Sequence, residues 1–238
     1  SEGLVLEIAS DGGEEARLNS MRRGMYGGDG SIRDDLSPKA YRELRRYLEG
    51  VGLPPDGMDG FRPWMAAMMI SLTEMMKLGG KAELGVDSFF EERANADGKR
   101  VEGLETSEFQ IGLFAKLGRA DQEAMLQATL HDMRDIEVQF PRMVKAWRTG
   151  DDATLDAILN ESLGETPGLR AELLDKRNGR WVEKLEEMIG GERDLMVVVG
   201  AGHLIGEQGV VSQLAVKGYK VKRMAPGGKV KTPRFIEL

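Results

Sequence analysis

Leu195-Met196-Val197-Val198-Val199-Gly200-Ala201-Gly202-His203-Leu204-Ile205-Gly206 reads as a short apolar strand running straight into a glycine-rich turn. A run of five apolar residues bounded by turn signals suits a buried strand better than a helix. Glu207 to Lys217 then carries a helical pattern, and Tyr219 to Met224 a second strand. The spacing predicts a β-α-β unit over 195–224, with parallel strands and a right-handed crossover. The turn therefore sits at the carboxyl end of a strand, where open α/β sheets place their ligands. A dinucleotide fingerprint would need glycine at position 205, which is isoleucine, and no Gly-Lys-Ser/Thr follows to make a phosphate loop. What remains is one histidine, His203, on a tight turn. Imidazole is a common metal ligand and a general acid or base near neutral pH. A lone histidine satisfied by backbone partners is the plainer reading, and the residues alone leave both open.

At the other end of the chain, Gly3 to Ile8 is apolar on both faces except for Glu7. Such a run suits a parallel strand covered by helices on both sides. A carboxylate inside it costs several kcal/mol unless it is paired, metal-bound or protonated; the alternative is a sheet edge facing water. Lys99 to Glu105 is another strand candidate, ending on a second acid, and Arg177-Asn178 supplies a cation that an ordinary amphipathic helix would also contain.

Between the ends the pattern is mostly helical, over 36–189. Asp11 to Asp35 reads as loop. Ser37-Pro38 starts a helix that ends near Gly50, and Pro63 starts another that runs to about Leu78. Met65, Met68, Met69, Leu72, Met75 and Met76 recur at helical spacing and read as an adaptable core face or a partner groove, core above all; a metal or haem surface is the sharper alternative. Ser88 with Glu91, and Ser107 with Gln110, fit capping boxes. Asp121 to Gln139 reads as one helix that Pro141 must end or kink, and Thr166-Pro167 opens a helix reaching about Ile189. No repeat or composition shift divides the 238 residues, so the expectation is a single α/β domain over 1–238. Its small parallel or mixed sheet comes from the two chain ends, with a large helical insertion between.

Composition excludes some functions. With 40 acidic and 33 basic side chains the net charge is −7, and the basic clusters at Arg42, Arg45 and Arg46 and at Lys229, Lys231 and Arg234 read as solvated faces, not a nucleic-acid surface. No cysteine is present, which excludes disulfides and thiolate sites. No apolar run approaches the roughly 20 residues of a membrane helix. The sequence opens directly in strand-like residues, which leads us to expect a trimmed form.

The Val197–Gly206 segment, followed by Gly209-Val210 and Gly218-Tyr219-Lys220-Val221, resembles the C-terminal signature of the TraB/GumN proteins. The resemblance continues upstream in order. It takes in Leu4-Val5-Leu6-Glu7, Pro63-Trp64, Gly85-Val86-Asp87, Leu104-Glu105-Thr106 with Gln110, Ala146-Trp147 with Gly150-Asp151, and Arg177-Asn178 with Trp181. It implies a fold like the erythromycin-esterase and ChaN-like proteins and kinship with the Tiki group, described as metal-dependent proteases. There, two G-x-x-H motifs and a glutamate are thought to form the site. Here the second motif maps onto Gly200 and His203 and the glutamate onto Glu7; the first is absent from this sequence, and His131 stands in the wrong context to replace it.

The resemblance thus implies a hydrolase, a peptidase above all, using a divalent metal ion. His203 and Glu7 would be metal ligands or acid/base and Arg177 a further catalytic residue, with Gly200, Gly202, Gly206, Asn178 and Glu105 shaping the site. Peptides or other small substrates would be its partners, and a homodimer sharing the site is compatible with this reading. It also implies an exported, periplasmic or envelope location, with an upstream segment that supplies the missing histidine. The rival expectation, from the ChaN-like side, is a binding protein for haem, iron or another small ligand; a third is an interaction module using the methionine-rich helix.

Overall fold

The computed structural model describes residues 1–9, 14–163, 167–191, 193–224 and 236–237. Its centre is a three-stranded sheet with β1 (Gly3–Ile8) between β2 (Arg100–Glu105) and β3 (Leu195–Val198). Both pairings are parallel, with Leu4 opposite Val101 and Met196, and Leu6 opposite Gly103 and Val198. All three strands therefore end on one edge. Strand alternation explains why β1 is apolar on both faces. Val5 points into a cluster with Leu104, Trp181, Val182, Leu185, Val210 and Leu214. Leu4 and Leu6 point the other way, toward Ala94, Phe90 and Val198. The first layer is built by α11 (Lys176–Ile189) and α12 (Val210–Val216), the second by α5 (Val86–Ala96).

The remaining helices form the bulk of the molecule. They are α1 (Glu14–Arg23), α2 (Ile32–Asp35), α3 (Pro38–Gly50), α4 (Pro63–Lys77), α6 (Ser107–Ala115), α7 (Arg119–Asp132), α8 (Ile136–Thr149), α9 (Asp152–Leu163) and α10 (Pro167–Arg170). Their own core contains Ile32, Leu36, Ala40, Leu44, Leu48, Ala66, Ala67, Ile70, Leu126 and Leu130. Ser37 caps α3 by accepting from the Ala40 amide at 3.3 Å, with Pro38 at the first helical position.

Several expectations are corrected. Asp11–Asp35 is not all loop, since α1 and α2 lie in it, while 10–13 lie outside the described residues. The glycines and aspartates around them mask Glu14-Glu15-Ala16-Arg17-Leu18, a run of strong helix formers. The helix expected over Asp121–Gln139 breaks at Met133–Asp135, before Pro141, which sits inside α8. Asp135 and Glu137 favour a new helix N-terminus there, where negative charge is stabilising. Helix α5 starts at Val86 behind Gly85, so Ser88 is not its cap, and Thr106, not Ser107, caps α6 by accepting from the Phe109 amide at 3.1 Å.

The methionine stripe is the core face of α4 only in part: Met69 packs against the helical core and Met65 and Met75 are half-buried. The buried face is Pro63, Trp64, Ala66, Ala67 and Ile70, while Met68, Leu72 and Met76 are exposed. Small alanines let α7 approach closely, a requirement that outweighs side-chain hydrophobicity here.

The second strand of the expected β-α-β unit is also corrected. β4 (Lys220–Val221) does not join the main sheet; it pairs antiparallel with β5 (Ile236–Glu237). Val221 is flanked by two lysines and exposed. Arg223 is drawn to the α8–α9 corner, where it donates to Asp152 at 2.5 Å and to the Gly150 carbonyl at 2.6 Å. The tail cations Lys229, Lys231 and Arg234 lie outside the described residues.

Candidate active site

Parallel strands deliver Glu7, Glu105 and the Gly200–His203 turn to the same edge of the sheet. Glu7 is the penultimate residue of β1 and Glu105 the last of β2, with Ile8 opposite Glu105 in register. His203 ends a 3-10 turn, Ala201–His203, whose amide donates back to the Gly200 carbonyl at 2.9 Å. Its ring is buried.

Arg177 ties the two glutamates together. Its Nε donates to Glu105 Oε2 at 3.1 Å and its Nη2 to Glu105 Oε1 at 2.5 Å, a two-pronged pairing. The same Nη2 also donates to Glu7 Oε1. Nη1 donates to the Leu173 carbonyl at 2.8 Å. Leu173 lies in a π-helical turn, Ala171–Asp175, that joins α10 to α11. Such turns recur at functional sites, and this one places Arg177 at the head of α11. Burial works against the guanidinium's charge, but its bonds to Glu105 and Glu7 outweigh that and raise its pKa.

The remaining acceptor capacity is nearly used up. Trp181 Nε1 donates to Glu105 Oε2 at 3.2 Å. Gln110 Nε2 donates to Glu7 Oε1 at 2.7 Å and to Glu105 Oε1 at 3.4 Å. Glu105 is thus held at both oxygens and Glu7 at one. Glu7 Oε2 faces His203 Nε2 across 4.0 Å.

His203 is held from behind. Its Nδ1 lies 2.6 Å from Asn178 Oδ1, and Asn178 Nδ2 donates to the Gln208 carbonyl at 2.8 Å. A carbonyl can only accept, so the amide nitrogen must face Gln208 and the amide oxygen must face the ring. Nδ1 therefore carries the proton and Nε2 presents its lone pair toward Glu7. Burial lowers the His203 pKa to about 4; Glu7 pulls upward and Arg177 pushes down. The ring is neutral at pH 7, the state needed of a metal ligand or a base. Trp181 packs on it with ring centroids 4.2 Å apart, and the Arg177 guanidinium lies 4.9 Å over the Trp181 ring.

Among the glycines of the turn, only Gly206 takes a positive φ, +77°, so the conformational demand falls there and not at Gly200 or Gly202. At Gly200 the demand is for space: an added Cβ would stand 3.7 Å from both Glu7 Oε2 and His203 Cδ2. Beside the site runs a groove of about 410 Å³ lined by Glu105, Thr106, Phe109, Arg180, Trp181 and Lys184.

The structure thus brings together Glu7, Glu105, Arg177, Asn178, Gly200 and His203. His131 is exposed near the end of α7, 3.8 Å from Asp132, and takes no part in this cluster. Gln110 is the contact that sequence reasoning misassigned: it reads as a helix cap and instead holds Glu7. Asp87, at the first turn of α5, is a further neighbour; burial, then Glu7 and Glu91, push its carboxyl up from the ordinary range.

The sequence model of the TraB/PrgY/gumN family matches residues 1–223. The chain belongs to the TraB/PrgY/gumN family. Among curated relatives of this family member, "Uncharacterized protein YbaP" of Escherichia coli (strain K12) is 28% identical over 181 residues, 74% of this chain and 65% of that protein. The protein of the same description in Shigella flexneri aligns identically well, at 28%. A "Metalloprotease TIKI homolog" of Amphimedon queenslandica is 23% identical over 189 residues, 69% of this chain and 37% of that one. The chain therefore spans under two-thirds of the length of each of these relatives. No solved structure matches it.

Proposed function

We propose that this TraB/PrgY/gumN chain carries the reaction centre of a metal-dependent hydrolase acting on peptides, with His203 and Glu7 as its paired acting groups. The observation that carries the reading is the neutral His203 Nε2 aimed at Oε2 of Glu7 at the carboxyl edge of the sheet. The metalloprotease name of the Amphimedon relative supports it. Arg177 is the orienting group. By holding Oε1 of Glu7 it leaves Oε2 without a hydrogen bond among the described residues, and Glu105 balances its charge.

A divalent ion, when bound, would polarise a scissile carbonyl and acidify a water. His203 Nε2 and Glu7 Oε2 fit it as two donors, and Asn178 holds the other ring nitrogen as partners of metal-bound imidazoles do. Among the described residues no group of three His, Cys, Asp or Glu donors converges, one short of the roughly three that catalytic zinc sites take from protein. The chain's own residues supply a proton acceptor at His203 Nε2, a negative charge at Glu7 Oε2, and a neighbouring groove able to seat an extended substrate.

Calorimetric titration with zinc, manganese and cobalt, together with a fluorogenic peptide library, tests this. Weak binding that His203→Ala abolishes, and metal-dependent turnover lost in both His203→Ala and Glu7→Gln, are expected. Turnover that survives both substitutions sinks the proposal. The incomplete donor set favours one alternative, a binding protein for haem, iron or another small ligand; it predicts saturable binding, for haem with a Soret band, and no turnover.

A further inference from the structure

A second groove, of about 610 Å³, lies on the helical layer away from the sheet edge and belongs to none of the chemistry above. Its lining includes Arg33 from α2 and Tyr41, Arg42, Arg45, Arg46 and Glu49 from α3. Four exposed arginines line it in a chain whose net charge is −7. Some arginines elsewhere find acids, Arg23 with Glu108, Arg119 with Asp35 and Arg223 with Asp152, while Arg62 and Arg180 lie over the rings of Tyr26 and Phe109. Among the described residues, none of the four groove arginines is paired with a carboxylate.

The arrangement works against the isolated helix. Arg42 and Arg46 stand four residues apart on α3, a spacing at which like charges repel. Glu49, three and four residues beyond Arg46 and Arg45, is placed to relieve this and forms no ion pair with either. The floor is fixed: the Tyr41 hydroxyl donates to Asp59 at 3.1 Å, and Arg45 lies 5.9 Å over the Tyr41 ring. Planar guanidinium forks match phosphate oxygens two at a time, and a concave wall with four arginines against Glu49 focuses positive potential on a ligand.

We propose that this groove binds a phosphate-bearing anion, with Arg33, Arg42, Arg45 and Arg46 as its ligands. Two sources share that chemistry, a free phosphoester and the headgroup of an anionic phospholipid.

The test uses two probes on the whole chain. One is calorimetric titration with inorganic pyrophosphate; the other is flotation with phosphatidylcholine vesicles with and without phosphatidylglycerol. The Arg42→Gln/Arg45→Gln variant is compared with Arg142→Gln/Lys145→Gln, which removes the same charge from the exposed surface of α8. Pyrophosphate binding marks the free phosphoester, and binding to phosphatidylglycerol vesicles alone marks the headgroup. In either case the groove variant should bind at least about tenfold more weakly, as loss of two charge-assisted pairs implies, and the α8 variant should bind as the parent does. If the groove variant does not give the parent's circular dichroism, Arg46→Gln alone is read, with a loss of about threefold expected. Binding of neither probe, or equal weakening in the α8 variant, overturns the proposal.

Discussion

Asn178 and His203 form a directed pair: the amide oxygen lies 2.6 Å from Nδ1, and the amide nitrogen is committed to the Gln208 carbonyl. That commitment dictates the tautomer of the ring. Nitrogen-15 spectra of the two histidines should show His203 as the Nδ1-protonated neutral form at pH 7, with a titration midpoint near 4. The exposed His131 provides an internal comparison. Asn178→Asp should raise the His203 midpoint by at least one unit, because a carboxylate at the same place favours the imidazolium. An unchanged midpoint would mean that residue 178 does not control the ring.

The same shift makes stability depend on pH. His203 titrates near 4 when folded against about 6.5 unfolded, so between those values the unfolded chain binds the extra proton. The stabilising contribution is fully present above about pH 6.5 and is lost as pH falls to about 4, amounting to roughly 3 kcal/mol. Urea unfolding at pH 7 and pH 4.5 should show this loss in the parent chain and little of it in His203→Gln. A parallel decline in both proteins would assign the acid sensitivity to other groups.

Arg177 stands between two carboxylates, and its removal leaves both uncompensated. Arg177→Met should cost about 3–5 kcal/mol, the usual penalty for orphaning a buried pair. Glu7→Gln should cost less than about 2 kcal/mol, since Glu7 is partly exposed and Glu105 still holds the guanidinium. Denaturant midpoints at pH 7 rank the two; equal penalties would contradict the paired arrangement.

Two glycines of one turn should separate stability from function. Gly206→Ala forces a side chain into φ +77° and within 3.2 Å of Asp156 Oδ1, so it should destabilise by about 1–2 kcal/mol. Gly200→Ala meets only ordinary contacts at 3.7 Å and should change stability by less than about 1 kcal/mol. It nonetheless fills the gap between Glu7 Oε2 and His203, and should remove whatever metal binding or turnover the parent shows. An active Gly200→Ala protein would place the chemistry elsewhere.

Much of this arrangement is legible in the residues. The costly acid in an apolar strand and the histidine after a second apolar strand both imply carboxyl-edge positions, and parallel pairing brings them together. Gln110 was hidden because Ser107 and Thr106 are equally good caps on paper; only the backbone reveals which of them caps, and Gln110 is left to reach Glu7. The methionines of α4 show the limit of periodicity, which finds an apolar face without saying whether alanines beside it need the close contact more. The fate of β4 was illegible for another reason: Arg223 is drawn to Asp152, a contact 71 residues away in sequence.

The π-helical turn at Ala171–Asp175 has a mechanical consequence for the long helix it interrupts. One residue of an α-helix corresponds to a rotation of about 100°, so the extra residue changes the phase between the segments on either side. Leu169 is buried before the turn, while Trp181, Val182 and Leu185 enter the sheet core after it. Deleting a single residue from the turn would restore regular winding and force a choice: either the α10 end loses its seat, or Arg177 rotates away from both glutamates. The joint acts as a gear tooth, letting one rod mesh with two surfaces set at different angles.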